Sequence, residues 1–325
     1  MLAVYAAAAD PLNPLAALKL GPRPKPEARE GWTTVEVRAA SLNHHDIWSL
    51  RGVGLPAERL PMILGCDAAG IDADGNEVIV HAVIGSEQWR DDETLDPKRS
   101  LLSERHQGTF AERVVVPRRN LVPKPATMSF EQAACLPTAW LTAYRMLFVR
   151  GEAEPGQTVL IQGASGGVAT AAILLARASG LRVWVTSRSE AKRAAAIELG
   201  AAAAFESGAR LPERVELVLE TVGEATWGHS LRAVRPGGKI VVSGSTSGPD
   251  PVAELQRVFF LQLDIRGSTM GTKVELEQLI RFCAVAGIGP PIDRVIALSD
   301  AREAFEAMIG GDLFGKIVLS TAASG

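Results

Sequence analysis

Residues 163–169, Gly-Ala-Ser-Gly-Gly-Val-Ala, place three glycines between a short apolar run (159–161) and an alanine-rich stretch that continues to residue 178. A turn of this kind leaves backbone N–H groups facing outward at a helix start, where the helix dipole favours an anion. Ser165, Gly166, Gly167 and Val168 are therefore read as the cradle of a dinucleotide pyrophosphate, in a one-residue-expanded relative of G-x-G-x-x-G/A. A second apolar run, 181–186, leads into Ser187-Arg188-Ser189-Glu190-Ala191-Lys192. No acid stands where an NAD-binding unit grips the ribose hydroxyls. Ser187 can hydrogen-bond a 2′-phosphate and Arg188 and Lys192 can offset its charge, so NADP(H) is the expected cofactor. The competing reading of the two cations is a solvated helix start. Ser243 and Gly244 close a later apolar run at a strand end, where ligands of open α/β sheets lie, and join the expected cofactor set.

The elements that must position these residues form a βαβ rhythm. Helices are expected near 190–199, 225–234 and 252–260, and strands at 159–161, 181–186, 215–220 and 239–243, with 263–267 as the last strand of a doubly wound sheet. Residues 1–125 read differently, as short strands at 1–5, 32–38, 76–83, 109–116 and 120–122 bounded by Gly, Pro, Asp and Asn. Ser129 starts a helical pattern that Pro137 should bend. Residues 86–105 are polar and charged, and no site is legible in them. The last part is helical at 274–286 and 299–309 and ends in a strand, 316–320, that returns to the first half.

With 325 residues, 47% of them hydrophobic, the chain can bury two cores. Its net charge of −3 gives no electrostatic argument for nucleic acid or an anionic membrane, so a small molecule is the expected partner. Three scattered cysteines, Cys66, Cys135 and Cys283, make no disulfide framework and suit a reducing compartment, the cytoplasm. The uncharged stretch 158–176 contains three glycines, Gln162 and Ser165, and reads as a buried strand and helix rather than a membrane span.

The ordered set LNHHDIW (42–48), LGCDAAG (64–70), GTFAE (108–112), PTAWLTAY (137–144), GASGGVA (163–169), PGGKIVVSGSTSG (236–248) and FGKIVL (314–319) resembles the medium-chain dehydrogenase/reductase superfamily, nearest its zinc-free quinone-oxidoreductase-like branch. The resemblance implies an α/β fold. A GroES-like domain would be built from residues 1–125 and 272–325, and a Rossmann domain from 126–271. It also implies a homodimer through the last Rossmann strand.

Zinc-dependent relatives carry a four-cysteine structural site that would fall near 84–108, where this chain has no cysteine. Their catalytic zinc positions correspond to Asn43, Cys66 and Thr138, of which Cys66 alone is a good zinc ligand, so no metal is expected. The resemblance implies that Asn43 lies beside the nicotinamide ribose and that His45 supplies a proton, while Asp46 is placed to orient His45 or a neighbour. Thr138 would meet the carboxamide, and Lys316 would lie near the cofactor. For each of these a structural role is the competing reading. The expected activity is hydride transfer from NADPH to a quinone, an enal or a related carbonyl compound. The alternatives are an alcohol or aldehyde dehydrogenase with a zinc site rebuilt from His44 or His45 with Cys66 and Asp67, and an NADPH-binding protein without turnover.

Overall fold

The described residues, 1–321, of this computed structural model form two compact units. One comprises Met1–Ala139, Met270–Val285 and the chain from Gly289 on; the other comprises Trp140–Thr269 and Ala286–Ile288. The first joint therefore follows Ala139 rather than residue 125, because the helix Phe130–Ala134 packs on the strands Trp32–Ser41 and Asp67–Asp72 and stays with them. No helix among the described residues is long and apolar enough to cross a membrane.

The second unit holds a six-stranded parallel sheet in the order Ala203–Phe205, Arg182–Thr186, Thr158–Gln162, Val215–Glu220, Val234–Val242, Asp264–Gly267. The chain enters at the centre, walks to one edge, returns, and walks to the other. The direction reverses between Thr158–Gln162 and Val215–Glu220, the place where a doubly wound sheet opens a ligand crevice at its strand ends. Every residue of Thr158–Gln162 is buried, as expected of a strand covered by helices on both faces. The helices Gly167–Ala178, Glu190–Leu199 and Glu224–Ala233 connect the strands. Ala203–Phe205 is a strand that the sequence pattern does not reveal, since its three residues are only half-buried and carry no alternation. The helix expected at 252–260 is shorter, Leu255–Phe260. Around Pro137 the backbone widens into a π-helical turn, Leu136–Trp140, which accommodates a residue with no N–H to donate.

The first unit is organised on the strand Trp32–Ser41, which pairs antiparallel with Asp67–Asp72, Arg113–Pro117 and Lys316–Ser320. The partner Lys316–Ser320 is the C-terminal strand returning to the N-terminal half, in the register Val318↔Ser41 and Leu319↔Ala40. Side chains of Thr33, Val35 and Val37 point inward, and the core they reach includes Leu50, Leu64, Phe110 and Phe305. Phe110 and Phe305 meet edge to face at 6.1 Å.

At Gly70 the strands Trp32–Ser41 and Asp67–Asp72 come too close for any side chain. A Cβ there would lie 2.1 Å from the Glu36 carbonyl oxygen and 3.0 Å from Val37 Cα. Backbone cannot step aside cheaply inside a paired sheet. Gly70→Ala is expected to cost about 2–3 kcal/mol and to lower the thermal midpoint accordingly. An unchanged midpoint would contradict this packing.

Candidate functional site

In the first unit, the polar residues singled out from sequence gather around Asp67, which is wholly buried. One carboxylate oxygen, Oδ2, accepts hydrogen bonds from Ser41 Oγ and Asn43 Nδ2, each at 2.8 Å, and Oδ1 accepts one from Thr138 Oγ1 at 2.5 Å. Lys316 Nζ stands 3.9 Å from Asp67 Oδ2 and donates to Asn43 Oδ1 and the Leu42 carbonyl, both at 2.6 Å. The Asn43 amide also donates to the Ser41 carbonyl at 3.2 Å. Both of its N–H protons are thereby used, and what Asn43 still offers is acceptor capacity on Oδ1. Asn43, Thr138 and Lys316 are thus brought together, with Asp67 and Ser41 as the members the sequence reading did not assign to the cofactor site.

Asn43 also starts the helix His44–Leu50, and its N–H donates to Asp46 Oδ2 at 2.8 Å. Its other oxygen accepts the Gly65 N–H at 3.0 Å. Burial raises the Asp46 pKa to about 6, against the pull of His45 and of these two N–H groups. Asp46 therefore fixes the loop before Cys66, and no hydrogen bond joins it to the His45 ring.

His45 instead lies between two other side chains. Its Nε2 is 2.9 Å from Glu104 Oε1, and its Nδ1 is 3.3 Å from Cys66 Sγ. Cys66 Sγ further approaches the Leu102 carbonyl and Ser103 Oγ. Burial alone would lower the His45 pKa, but Cys66, Glu104 and Asp46 outweigh it and hold the imidazole well above its ordinary value. Burial pushes the Cys66 thiol up. Glu104 and Ser103 come from the polar stretch in which no site is legible, because only the tertiary fold brings that loop to His45.

These residues do not fit a catalytic zinc. Of the three positions matched to zinc ligands, Asn43 and Thr138 are bound to Asp67, and only Cys66 is a soft donor. The two ring nitrogens of His45 face opposite partners. Among the described residues no group of three or more His, Cys, Asp or Glu is arranged to hold a metal ion.

The second unit carries the glycine turn. Gly163 adopts φ +92°, which glycine takes without strain, and Gly166 caps the helix Gly167–Ala178. A Cβ built at Gly166 would meet nothing within 4 Å, and Ser165, Gly166, Gly167 and Val168 are all half-buried between buried neighbours. The helix start thus faces open space with no side chain at its cap to satisfy the first N–H groups. That arrangement fits a pyrophosphate. Beneath it, buried polar groups bind the strand ends together. Gln162 joins Thr186 Oγ1 at 2.7 Å, His229 Nδ1 at 2.9 Å and Ser230 Oγ at 3.0 Å. Ser230 passes the chain on to Glu220 at 2.6 Å, and Glu220 also accepts from Thr226 and the N–H groups of Val222 and Gly223.

Past the end of the next strand, Ser187 is half-buried and Arg188 is exposed. Ser189 caps the helix by accepting the Lys192 N–H at 3.4 Å. Arg193, not singled out from sequence, donates to the Ser187 carbonyl at 2.7 Å and adds a third cation to Arg188 and Lys192. The strand ends at Thr186 without a carboxylate. Gly244 is pressed against the neighbouring loop, since a Cβ there would lie 2.9 Å from the Thr221 carbonyl oxygen, and Ser243 donates its N–H to the Glu220 carbonyl at 2.9 Å.

Comparison with known proteins adds the following. Residues 29–126 match the alcohol dehydrogenase GroES-like domain, and residues 167–285 match the domain described as zinc-binding dehydrogenase. A crystal structure of an NAD-dependent alcohol dehydrogenase superposes with a TM-score of 0.91 at 32% identity, covering 99% of this chain and 100% of that one. A zinc-type alcohol dehydrogenase-like protein of Schizosaccharomyces pombe is 29% identical over 89% of this chain and 90% of its own. An acryloyl-coenzyme A reductase of Metallosphaera sedula is 29% identical over 91% of this chain and 94% of its own.

The His45–Glu104 pair has a measurable consequence. A histidine with a raised folded-state pKa contributes stability fully below its unfolded value, about 6.5, and loses it as pH rises through the raised value. Glu104→Gln removes the charge facing Nε2 and should lower the His45 pKa, read by NMR titration of the ring. The alkaline fall in stability should shrink with it. An unmoved His45 titration would show that Glu104 does not set it.

Proposed function

Because this chain belongs to the medium-chain dehydrogenase/reductase superfamily, we propose that it is an NADPH-dependent reductase of quinones, enals or related carbonyl compounds, working without zinc. It is an oxidoreductase acting on a small electrophile, and NADP(H) is its cofactor. The observation that carries the reading is His45, a partly exposed imidazole with its ring nitrogens 2.9 Å from the Glu104 carboxylate and 3.3 Å from the Cys66 thiol, beside positions that supply only one zinc donor.

NADP(H), when bound, supplies the hydride. The amides after Ser165 at Gly166, Gly167 and Val168 receive the pyrophosphate, and Ser187, Arg188 and Lys192, with Arg193, receive the 2′-phosphate. The loop carrying Ser243 and Gly244 borders the cofactor. Asn43, Thr138 and Lys316, locked through Asp67, present a rigid surface to the nicotinamide end, with Asn43 Oδ1 as an acceptor for a ribose hydroxyl. His45 holds the proton that the reduced acceptor needs on its oxygen or adjoining carbon. Asp46 keeps the helix start and the Cys66 loop in place around it. The relative named acryloyl-coenzyme A reductase favours activated alkenes among the acceptors.

The strand Asp264–Gly267 is an open sheet edge, and Phe259 and Phe260 are 68% and 80% exposed next to it, with Ile265 at 40%. Covering that edge with a second copy would remove an aggregation hazard, so the protein works as a homodimer. Its three free, buried cysteines suit the reducing cytoplasm.

Purified protein is expected to oxidise NADPH with a quinone or an enal while its zinc content stays below stoichiometric. Arg188→Ala with Lys192→Ala should weaken NADPH binding by about 10- to 100-fold and leave NADH unchanged, measured by quenching of the nucleotide fluorescence. Preference for NADH in the parent protein would refute the cofactor assignment. Stoichiometric zinc with activity lost on chelation would establish the rebuilt metal site instead, and binding without oxidation of any acceptor would leave an NADPH-binding protein. Light scattering checks the dimer: Phe259→Lys with Phe260→Lys should yield monomers, and a parent protein that is already monomeric would exclude it.

A further inference from the structure

We propose that the first unit holds a second ligand site, a cleft of about 540 Å³ that takes a small, multiply charged phosphate-bearing anion. Its size is that of a metabolite pocket rather than a surface dimple. Arg29, Lys98, Arg118 and Arg119 line it, against a single acidic lining residue, Glu87. The cations are placed rather than loose. The Arg29 guanidinium lies 4.1 Å above the Trp32 ring, and Arg119 is tied to the Gly85 carbonyl. Arg118 faces Asp74 across an exposed ion pair at 2.6 Å, which offsets its charge and leaves Arg29, Lys98 and Arg119 as the main attraction.

The floor supplies neutral polar groups. His106 packs at 5.0 Å against Trp32, and its Nε2 is 3.1 Å from Ser100 Oγ. Its pKa is lowered, by burial first and then by Arg29, Arg59 and Arg105. A concave wall lined by guanidinium groups and an ammonium, with cations outnumbering acids among its lining residues, favours an anion of high charge density. A phosphate ester or diphosphate has that density and accepts the fork-shaped guanidinium bonds. Arg29 already lies over the Trp32 ring and His106 is tilted against it at 54°, so recognition falls on the phosphate rather than on a stacked base.

The place of the cleft gives it a bearing on the proposed reaction. Ser100 and His106 line it, while Ser103 and Glu104, within the same segment, hold Cys66 and His45. Ser103 donates its N–H to the His106 carbonyl at 2.8 Å and sits at φ +63°. The segment is therefore a tight turn with one end in the cleft and its tip on the His45 pair. The site itself does not depend on the reductase reading, and its test is independent of turnover.

Titration calorimetry at low ionic strength, on protein saturated with NADPH to block the glycine turn, should detect one site for inorganic pyrophosphate below about 1 mM. Lys98→Gln alone should weaken it several-fold, and Arg29→Gln, Lys98→Gln and Arg119→Gln together by about tenfold or more. Lys98 serves as the safe variant if the triple change unfolds the domain, since its side chain is exposed and its hydrogen bond to Asp96 is made by the backbone N–H, which Lys98→Gln keeps. ADP in place of pyrophosphate distinguishes a nucleotide from a free phosphate source: tighter binding assigns the nucleotide, equal binding the phosphate alone. No heat with either probe, binding indifferent to Lys98→Gln, or binding abolished by Arg188→Ala, would overturn the proposal.

Discussion

A buried carboxylate tolerates no unpaired state, and Asp67 has no exposure at all. Its stability in the folded chain rests on Ser41, Asn43, Thr138 and Lys316 arriving together. These come from the end of one strand, the cap of a helix, a π-helical turn and the C-terminal strand. Lys316 and Asn43 are 273 residues apart. They meet only if Lys316–Ser320 pairs with Trp32–Ser41 in the observed register, because a slip by one residue would send Lys316 to the opposite face. Folding of the split unit and assembly of the polar cluster are therefore one event.

The second unit solves the same problem with Glu220 and Gln162. Each lies at the end of a central strand, and each spends its polar atoms on neighbouring elements rather than on solvent. His229 is fixed as a neutral ring, with Nε2 facing the Ala209 carbonyl and Nδ1 facing the Gln162 amide, and burial lowers its pKa. A fully bonded network of this kind is rigid, so the glycine turn above it keeps its shape whether or not a phosphate is present. The crevice is then made in advance rather than on binding, and little binding energy is lost to ordering it.

Local pattern was enough to place the glycine turn, the strands around it and the missing acid after Thr186, since each follows from residues adjacent in sequence. Ala203–Phe205 escaped because three half-buried residues with no alternation carry no periodic signal. Asp67 stood in a quoted motif, yet its four partners lie on separate elements that no spacing connects. Glu104 lay in a run of charged residues that reads as solvated, and what distinguishes it is the turn at Ser103, a non-glycine residue at positive φ that sequence does not announce. Asp46, read as orienting His45 or a neighbour or else as a turn cap, shows the bonds of the last of these readings. The bonds of Asp46 are to N–H groups of Asn43 and Gly65, which is the work of a cap.

The two charged pairs of the first unit divide the labour by their access to water. Lys316 and Asp67 are nearly or wholly excluded from it, with side chains 3% and 0% exposed, and a pair so dry serves to position its neighbours. His45 and Glu104 are 23% and 26% exposed, wet enough to be recharged from solvent and close enough for the carboxylate to favour the imidazolium. On the far ring nitrogen stands Cys66, 3.3 Å from Nδ1, which helps fix the plane of the ring and acts with Glu104 to raise the His45 pKa. A proton source near neutral pH needs both properties, a defined direction and a route to refill. In this unit, His45 combines them.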